Sequence, residues 1–376
     1  MWNETAQPFI DKGDLVVIGI IQEQHPERCR LYAQWKKFEW PIVYDQMNVL
    51  GIKVVPVPLF IDEHGIVRNT RPKPKDLASF VSKKFEKPAG LKQPVVVSVK
   101  PFSNDATQEN SIDQTIQRYS KQLTADADNA IAEFRLGVAL RAKFDSKSGK
   151  PEHFEQAAMH WSAALRANPN QYIWRRRIEQ YGPRLAKPYP FYDWVEQATK
   201  EIKQRGEQPV ELQVALAGAE IAKPSRTFAL EKTIIENPDP DNKITRDDKF
   251  VSLRTAAVPN YIRPNKATRV HIVMSPQECK WNNESEPVKI WIDKLTGGTA
   301  TKKSIAIPNP TSDGETVTES NEIRTAEFEF KANKDAAECQ IDGYALYTIC
   351  ESETGTCRLL RQNFSLKIPV LAKPKK

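Results

Sequence analysis

The chain of 376 residues is longer than a single core usually grows, about 250 residues, so it divides into two or three domains. Hydrophobic residues at 40% and charged residues at 27% are ordinary for a globular protein, and a mean hydropathy of −0.57 leaves no run near the ~18 apolar residues of a membrane-spanning helix. The net charge of +7 is spread as +2 over residues 1–110, +4 over 111–208 and +1 over 209–376, which excludes the concentrated basic field of a nucleic-acid binder.

Residues 15–21, Leu-Val-Val-Ile-Gly-Ile-Ile, form a β-branched apolar run that predicts a strand buried on both faces, in a parallel sheet covered by helices. Glu27 to Phe38 follows at helical spacing, and Pro41 to Tyr44 supplies a second strand, giving a β-α-β order. Val54 to Asp62 then reads as a strand that turns at Glu63-His64-Gly65 and returns as Ile66 to Arg68, a hairpin. A helix from Pro74 to Phe85 closes this unit, which spans 1–86. Residues 87–112, with Pro88, Pro94 and Pro101, read as a linker holding one extended segment, Val95 to Val99.

The stretch from residue 15 through the Pro56-to-Asp62 strand and the Gly65 hairpin resembles the back three-quarters of a thioredoxin-like domain of the TlpA/redoxin type. That resemblance implies that Pro56 occupies the family's cis-proline position. It also implies that Trp2 to Lys12 is the tail of the family's first helix, so that the central strand and the Cys-x-x-Cys motif are absent from this chain. On this reading Met1 is an internal start or the edge of a fragment; a redox-dead relic patched by another strand is the alternative. Cys29 has no cysteine three residues away and reads as a packing residue.

Helical periodicity governs residues 113–206. From Ala127 to Lys143 the residues Phe134, Leu136, Gly137 and Leu140 share a face, as do Ala157, Trp161, Ala164 and Leu165 from His153 to Ala167, and Asn168-Pro169 stops the second helix. This small-large alternation resembles a tetratricopeptide repeat with about eight extra residues between its helices, around Phe144 to Pro151. Helices from Gln171 to Tyr181 and Phe191 to Arg205 are expected to complete the bundle. The triplet Arg175-Arg176-Arg177 reads as a solvated helix face, with an acidic protein partner as the alternative. Trp174, Tyr181, Tyr189, Phe191, Tyr192 and Trp194 read as a core aromatic cluster.

After a connecting segment at 207–244 the pattern changes. Residues 245–376 hold alternating strands at 269–274, 288–292, 325–330 and 364–368 with polar turns and no helix between them, which predicts a β-sandwich. Tyr344 to Cys350 and Cys357 to Arg361 read as two strands joined by Glu351-Ser352-Glu353-Thr354-Gly355-Thr356, so the two sulfurs stand at facing ends of one hairpin. Cross-strand Cβ atoms about 4.5–5.5 Å apart are close to disulfide spacing. Tyr-x-x-Cys, a short acidic loop with glycine and a second cysteine, with Trp281-Asn282-Asn283-Glu284 upstream, resembles the immunoglobulin-like N-terminal domain of the membrane thiol reductase DsbD. The resemblance implies that Cys350 and Cys357 relay electrons to other thiol–disulfide proteins or to a membrane thiol reductase.

Cys279 and Cys339 each precede a strand and are candidates for a second, structural disulfide; free thiols or a metal pair are the alternatives. None of the five histidines falls at metal spacing beside them, and His271 alternates with apolar neighbours, as a strand residue facing solvent does. Neither a Gly-rich phosphate loop nor a Gly-x-Ser-x-Gly elbow occurs, so no cofactor or metal is expected. The fold class expected is multidomain α+β: a truncated thioredoxin-like α/β unit, a TPR-like helical segment and a C-terminal immunoglobulin-like sandwich. The function expected is a thiol–disulfide relay, in effect a protein-disulfide oxidoreductase, in a periplasmic or other extracytoplasmic setting, its export signal lost with the missing N-terminus. The alternative is a non-catalytic scaffold whose disulfides are structural and whose helical segment binds a protein.

Overall fold

The computed structural model describes residues 2–90, 106–183, 192–216, 218–220, 236–312 and 314–372. In chain order the first elements are α1 (Trp2–Asp11), β1 (Gly19–Ile21), α2 (Pro26–Lys36), β2 (Ile42–Tyr44), β3 (Phe60–Ile61), β4 (Val67–Asn69) and α3 (Leu77–Val81). Helices α4 (Ala106–Ala125), α5 (Ala130–Phe144), α6 (Pro151–Ala167), α7 (Tyr172–Tyr181) and α8 (Val195–Gln204) follow. The strands after them are β5 (Val251–Val258), β6 (Ala267–Pro276), β7 (Cys279–Asn282), β8 (Val288–Thr296), β9 (Gly298–Ala300) and β10 (Ser304–Ile307). Three short pieces, β11 (Thr311–Ser312), β12 (Glu315–Thr316) and β13 (Glu319–Ser320), lead to β14 (Arg324–Ala332), β15 (Cys339–Glu351) and β16 (Cys357–Ile368). Both helices and strands are well represented, and the chain falls into two compact units.

The first unit comprises Met1–Phe102, Asn170–Ile173 and Trp194–Ala215. Helix α2 starts with Pro26, whose missing N–H costs nothing in a first turn, and stops at Lys37, whose left-handed backbone turns its N–H back onto the Ala33 and Gln34 carbonyls. It packs on α8, where the Trp35 ring stacks on Trp194 with centroids 6.0 Å apart and the Arg205 guanidinium donates to the Gln34 carbonyl at 3.1 Å. A separate cluster of Ala6, Phe60 and Leu77 takes in Leu15 and Val17 from the approach to β1.

Here the structure departs from two expectations. Strand β1 pairs in parallel with β2, and β3 pairs antiparallel with β4, but these remain two separate two-stranded sheets among the described residues. Among the described residues they do not join into the continuous central sheet of a thioredoxin-like domain. Nor is the first strand buried on both faces: Leu15 and Val17 turn toward the cluster, while Val16, Ile18 and Ile20 are 75%, 58% and 51% exposed, because helices cover only one side. The extended segment expected at Val95 to Val99 lies outside the described residues.

The second unit comprises Ser103–Pro169, Trp174–Asp193 and Leu216–Lys376, so the helices from α4 to α6 group with the C-terminal sheets. Asn129 caps α5 by accepting from the Ala132 N–H at 3.0 Å, and Pro151 opens α6. Gly137 lets these helices meet: a Cβ there would lie 2.5 Å from the Trp161 ring. That ring is itself stacked on Tyr181 at 5.4 Å. Of the expected aromatic cluster, Trp174, Tyr181 and Tyr192 are buried in this unit, Trp194 belongs to the first unit, and Tyr189 and Phe191 lie outside the described residues. In the arginine triplet, Arg175 and Arg176 pair with Glu179, while Arg177 is buried against the Phe134 ring.

Two antiparallel sheets build the rest of this unit. One has the order β5-β6-β14-β9. In the other, β15 is flanked along one edge by β16 and along the opposite edge by β8 and then β7, with β10 outside β8 and β13 outside β7. Alternate residues of both sheets, among them Val270, Ile272, Phe328, Trp281, Tyr347 and Ile349, meet in one apolar core.

Strand β6 is buried on both faces, which corrects the expectation that His271 faces solvent. Helix α6 covers the sheet's outer face: Glu152 accepts from Ser252 at 3.0 Å, and the Phe154 ring lies 4.9 Å from the imidazole of His271. His271 Nε2 lies 2.7 Å from the Tyr181 carbonyl oxygen and Nδ1 3.1 Å from Glu327, which also binds Arg269 at 2.9 Å. Burial opposes ionisation of Glu327, but the charges and hydrogen bonds of His271 and Arg269 outweigh it and hold the carboxyl down at about 2.

Candidate functional site at the β15–β16 hairpin tip

Strands β15 and β16 pair over twelve residues, from Cys339 opposite Ile368 to Cys350 opposite Cys357. Alternation along β15 sends Ile341, Ala345, Tyr347 and Ile349 into the core and places Tyr344, Leu346 and Cys350 on the other face of the sheet. Part of that face is covered by residues 237–247. Arg361 of β16 pairs with Asp239 at 2.7 Å, both buried, and stacks 3.7 Å over the Tyr344 ring, whose hydroxyl donates to Asn237. Cys350 and Cys357 lie further along this face.

The two sulfurs are joined in a disulfide. The Glu351 N–H donates to the Thr356 carbonyl at 3.0 Å, so by the alternation of an antiparallel ladder the cysteines occupy a non-hydrogen-bonded pair, the position where opposing side chains approach most closely. The connecting loop is fixed locally. Gly355 takes a positive φ of 66° and donates to the Glu351 carbonyl at 2.9 Å, while the Thr354 hydroxyl donates to the Glu351 carboxylate at 2.8 Å. Glu351 also pairs with Arg358 at 2.7 Å. The two ends of the bond differ: Cys350 is 5% exposed, whereas Cys357 is exposed to solvent.

The other thiols are unlike this pair. Cys29, Cys279 and Cys339 are free and buried. Burial, with Glu23 nearby, pushes the Cys29 thiol up to about 11, and burial likewise raises Cys279 and Cys339, so all three are protonated and inert near neutral pH. The expected Cys279–Cys339 disulfide is therefore corrected. Cys279 stands opposite Glu351 at one end of β15 and Cys339 begins the other end, twelve residues away or about 40 Å of strand. Each thiol donates instead to a backbone carbonyl, Cys279 to Phe250 at 3.1 Å and Cys339 to Gly297 at 3.6 Å.

Pro56 follows a cis peptide bond from Val55 and is exposed. The only cysteine of residues 2–90 is the buried Cys29, so no thiol chemistry gathers around Pro56 from its own stretch of chain. A neighbour that sequence reasoning missed is Lys280, which pairs directly across from Cys350 on β7. Only its alternation between two core-facing residues, Cys279 and Trp281, could have hinted that it shares the outer face with the disulfide. Among the described residues no helix is long and apolar enough to cross a membrane.

No family model matches the chain, and no curated protein matches it. Similar solved structures include a ceramidase complexed with C2, at 12% identity and a TM-score of 0.16, covering 48% of this chain and 27% of that one. A neutral ceramidase from Pseudomonas aeruginosa aligns at 10% identity and a TM-score of 0.16, covering 71% of this chain and 37% of its own. The chain thus spans well under half the length of either protein. The family expectations are corrected accordingly: the thioredoxin-like, tetratricopeptide-like and DsbD-like resemblances carried by short motifs find no match among family models or curated proteins.

Proposed function

We propose that this protein carries out thiol–disulfide exchange through Cys350 and Cys357, in an oxidising compartment outside the cytoplasm, with dithiol proteins as partners. The observation that carries the reading is the placement of the bond: it closes the open tip of a hairpin whose register eleven further residue pairs already fix, with one of the two cysteines exposed to solvent. A staple contributes little to register there, while an incoming thiolate can reach Cys357.

In the exchange a partner thiolate attacks Cys357 Sγ along the S–S axis. The new sulfur–sulfur bond forms as the old one breaks, and Cys350 departs as a thiolate. A second thiol of the partner loses its proton to water, attacks its own sulfur in the mixed disulfide and releases Cys357. Two electrons pass from the partner dithiol to this chain, and Cys350 and Cys357 end as thiols. The reverse sequence oxidises the pair at the expense of a partner disulfide.

A redox titration of the full-length protein against glutathione buffers, read by alkylation and mass of the peptide holding both cysteines, tests this. Exchange predicts a midpoint above about −300 mV; a value well below it marks a bond resistant to the thiol pool and leaves a scaffold with a structural disulfide.

A further inference from the structure

We infer that Lys280 stabilises the thiolate that Cys350 becomes when the disulfide opens, and so sets which end of the bond is the leaving group; this rests on the exchange reading above. Three strands fix the arrangement. Cys350 of β15 stands opposite Cys357 of β16 on one side and opposite Lys280 of β7 on the other, and residues opposed in an antiparallel ladder project from the same face. The flanking pair Ile349 and Trp281 points the other way, into the core. When the bond breaks, the Cys350 sulfur has therefore lost its neighbour on one side and keeps an ammonium-bearing side chain on the other. A cation beside a cysteine favours the thiolate, and a more acidic thiol departs faster.

The surrounding charges define how far this goes. Lys280 is paired with Glu319 of β13 at 3.0 Å, both side chains about half exposed, so that carboxylate competes with the thiolate for the ammonium. Glu351 adjoins Cys350 in the chain and opposes the negative sulfur, but its charge is matched by Arg358 at 2.7 Å. Glu353 in the loop and Glu278, whose carbonyl accepts from the Ser352 N–H, are further acidic residues of the tip. The arrangement makes a signed prediction: removing Lys280 raises the Cys350 thiol, and removing Glu319 lowers it.

The test uses the full chain with Cys357→Ser, which leaves Cys350 unpaired. The pH dependence of iodoacetamide alkylation is followed on the Cys350 peptide by mass spectrometry. The inference expects Lys280→Met to raise the Cys350 midpoint by about 0.5–1 pH unit, Lys280→Arg to restore it and Glu319→Gln to lower it, shifts of the size expected for a partly solvated charge on the neighbouring strand. In the chain with both cysteines, Lys280→Met should also slow cleavage of the disulfide by dithiothreitol about twofold. Lys280 and Glu319 are surface residues, so their variants should keep the fold. A midpoint that Lys280→Met leaves unchanged overturns the inference and leaves the exchange reading standing. A disulfide that resists dithiothreitol while Lys280 still moves the Cys350 midpoint overturns the exchange reading instead.

Discussion

A cysteine pair that opens and closes must leave its fold standing in both states, and the stability of the pair-deleted protein examines this. The perturbation is Cys350→Ser with Cys357→Ser. The bond closes a ring of eight residues, seven positions apart in sequence. Chain-entropy bookkeeping assigns a ring of that size about 2.5 kcal/mol of constraint on the unfolded chain. On the folded side little changes. The eleven residue pairs below the tip keep their ladder, and the loop bonds of Glu351 to Thr354, Thr356 and Gly355 involve neither sulfur. Urea unfolding, followed by near-ultraviolet circular dichroism of the buried aromatic residues, should therefore show a loss of about 2.5 kcal/mol or less with an unchanged slope. Amide exchange should be faster only around residues 350–357. A loss above about 4 kcal/mol, or deprotection reaching Ile341 and Leu366 in the middle of the ladder, would mean that the sandwich depends on the bond. The exchange reading would then fail.

Gly137→Ala should destabilise the helical part of the second unit by about 1–3 kcal/mol, since its Cβ would lie 2.5 Å from a Trp161 ring already stacked on Tyr181; thermal melts of the variant and of Ala139→Gly as a helix control measure it. Glu327 is held at about 2 against an ordinary 4.5, so its folded state releases a proton more readily than the unfolded chain. The stability it contributes is complete above about pH 4.5 and is lost as the pH falls toward 2, and Glu327→Gln should flatten that part of the stability curve. Ile18→Lys should change stability by no more than about 0.5 kcal/mol, because this side chain is already exposed; a loss of several kcal/mol in urea unfolding would contradict the exposure of that face.

Much of the second unit's strand pattern was legible because alternation is a local property. Arg269 to Met274, Val288 to Ile292 and Thr325 to Phe330 all fall within strands of the structure. What alternation could not reveal is the layer above a strand. The polar residues of β6, Arg269 and His271, imply a wet face, yet α6 and the end of α7 cover it, and their polar groups are met by Glu327 and a backbone carbonyl. The same limit runs the other way in the first unit. The run at 15–21 is apolar on both sides, so composition predicts double burial, but a cover is a property of other elements and exists on one side only. Family motifs fared worst for a related reason: a hairpin such as Asp62 to Arg68 follows from one buried aspartate accepting from the His64 and Ile66 N–H groups, and it forms in any fold that needs a tight turn.

The candidate site divides along the same line. Cys350 and Cys357 face each other because six intervening residues, among them a glycine at positive φ, bring the chain back, an arrangement derivable from the sequence. Lys280 lies seventy positions upstream, and its place beside Cys350 depends on the register between β7 and β15. A slip of one residue would put Lys280 into the core and Trp281 into water, so the apolar alternation of β7 specifies the register strongly once the pairing is known. Which strand β7 pairs with is not written in β7. It follows from β8 ending its contact at Leu346 and leaving the far edge of a thirteen-residue strand open for another partner. Strand length thus decides which charge stands next to the sulfur, and shortening the β8 contact or lengthening it by a residue pair would alter the chemistry at the tip without touching either cysteine.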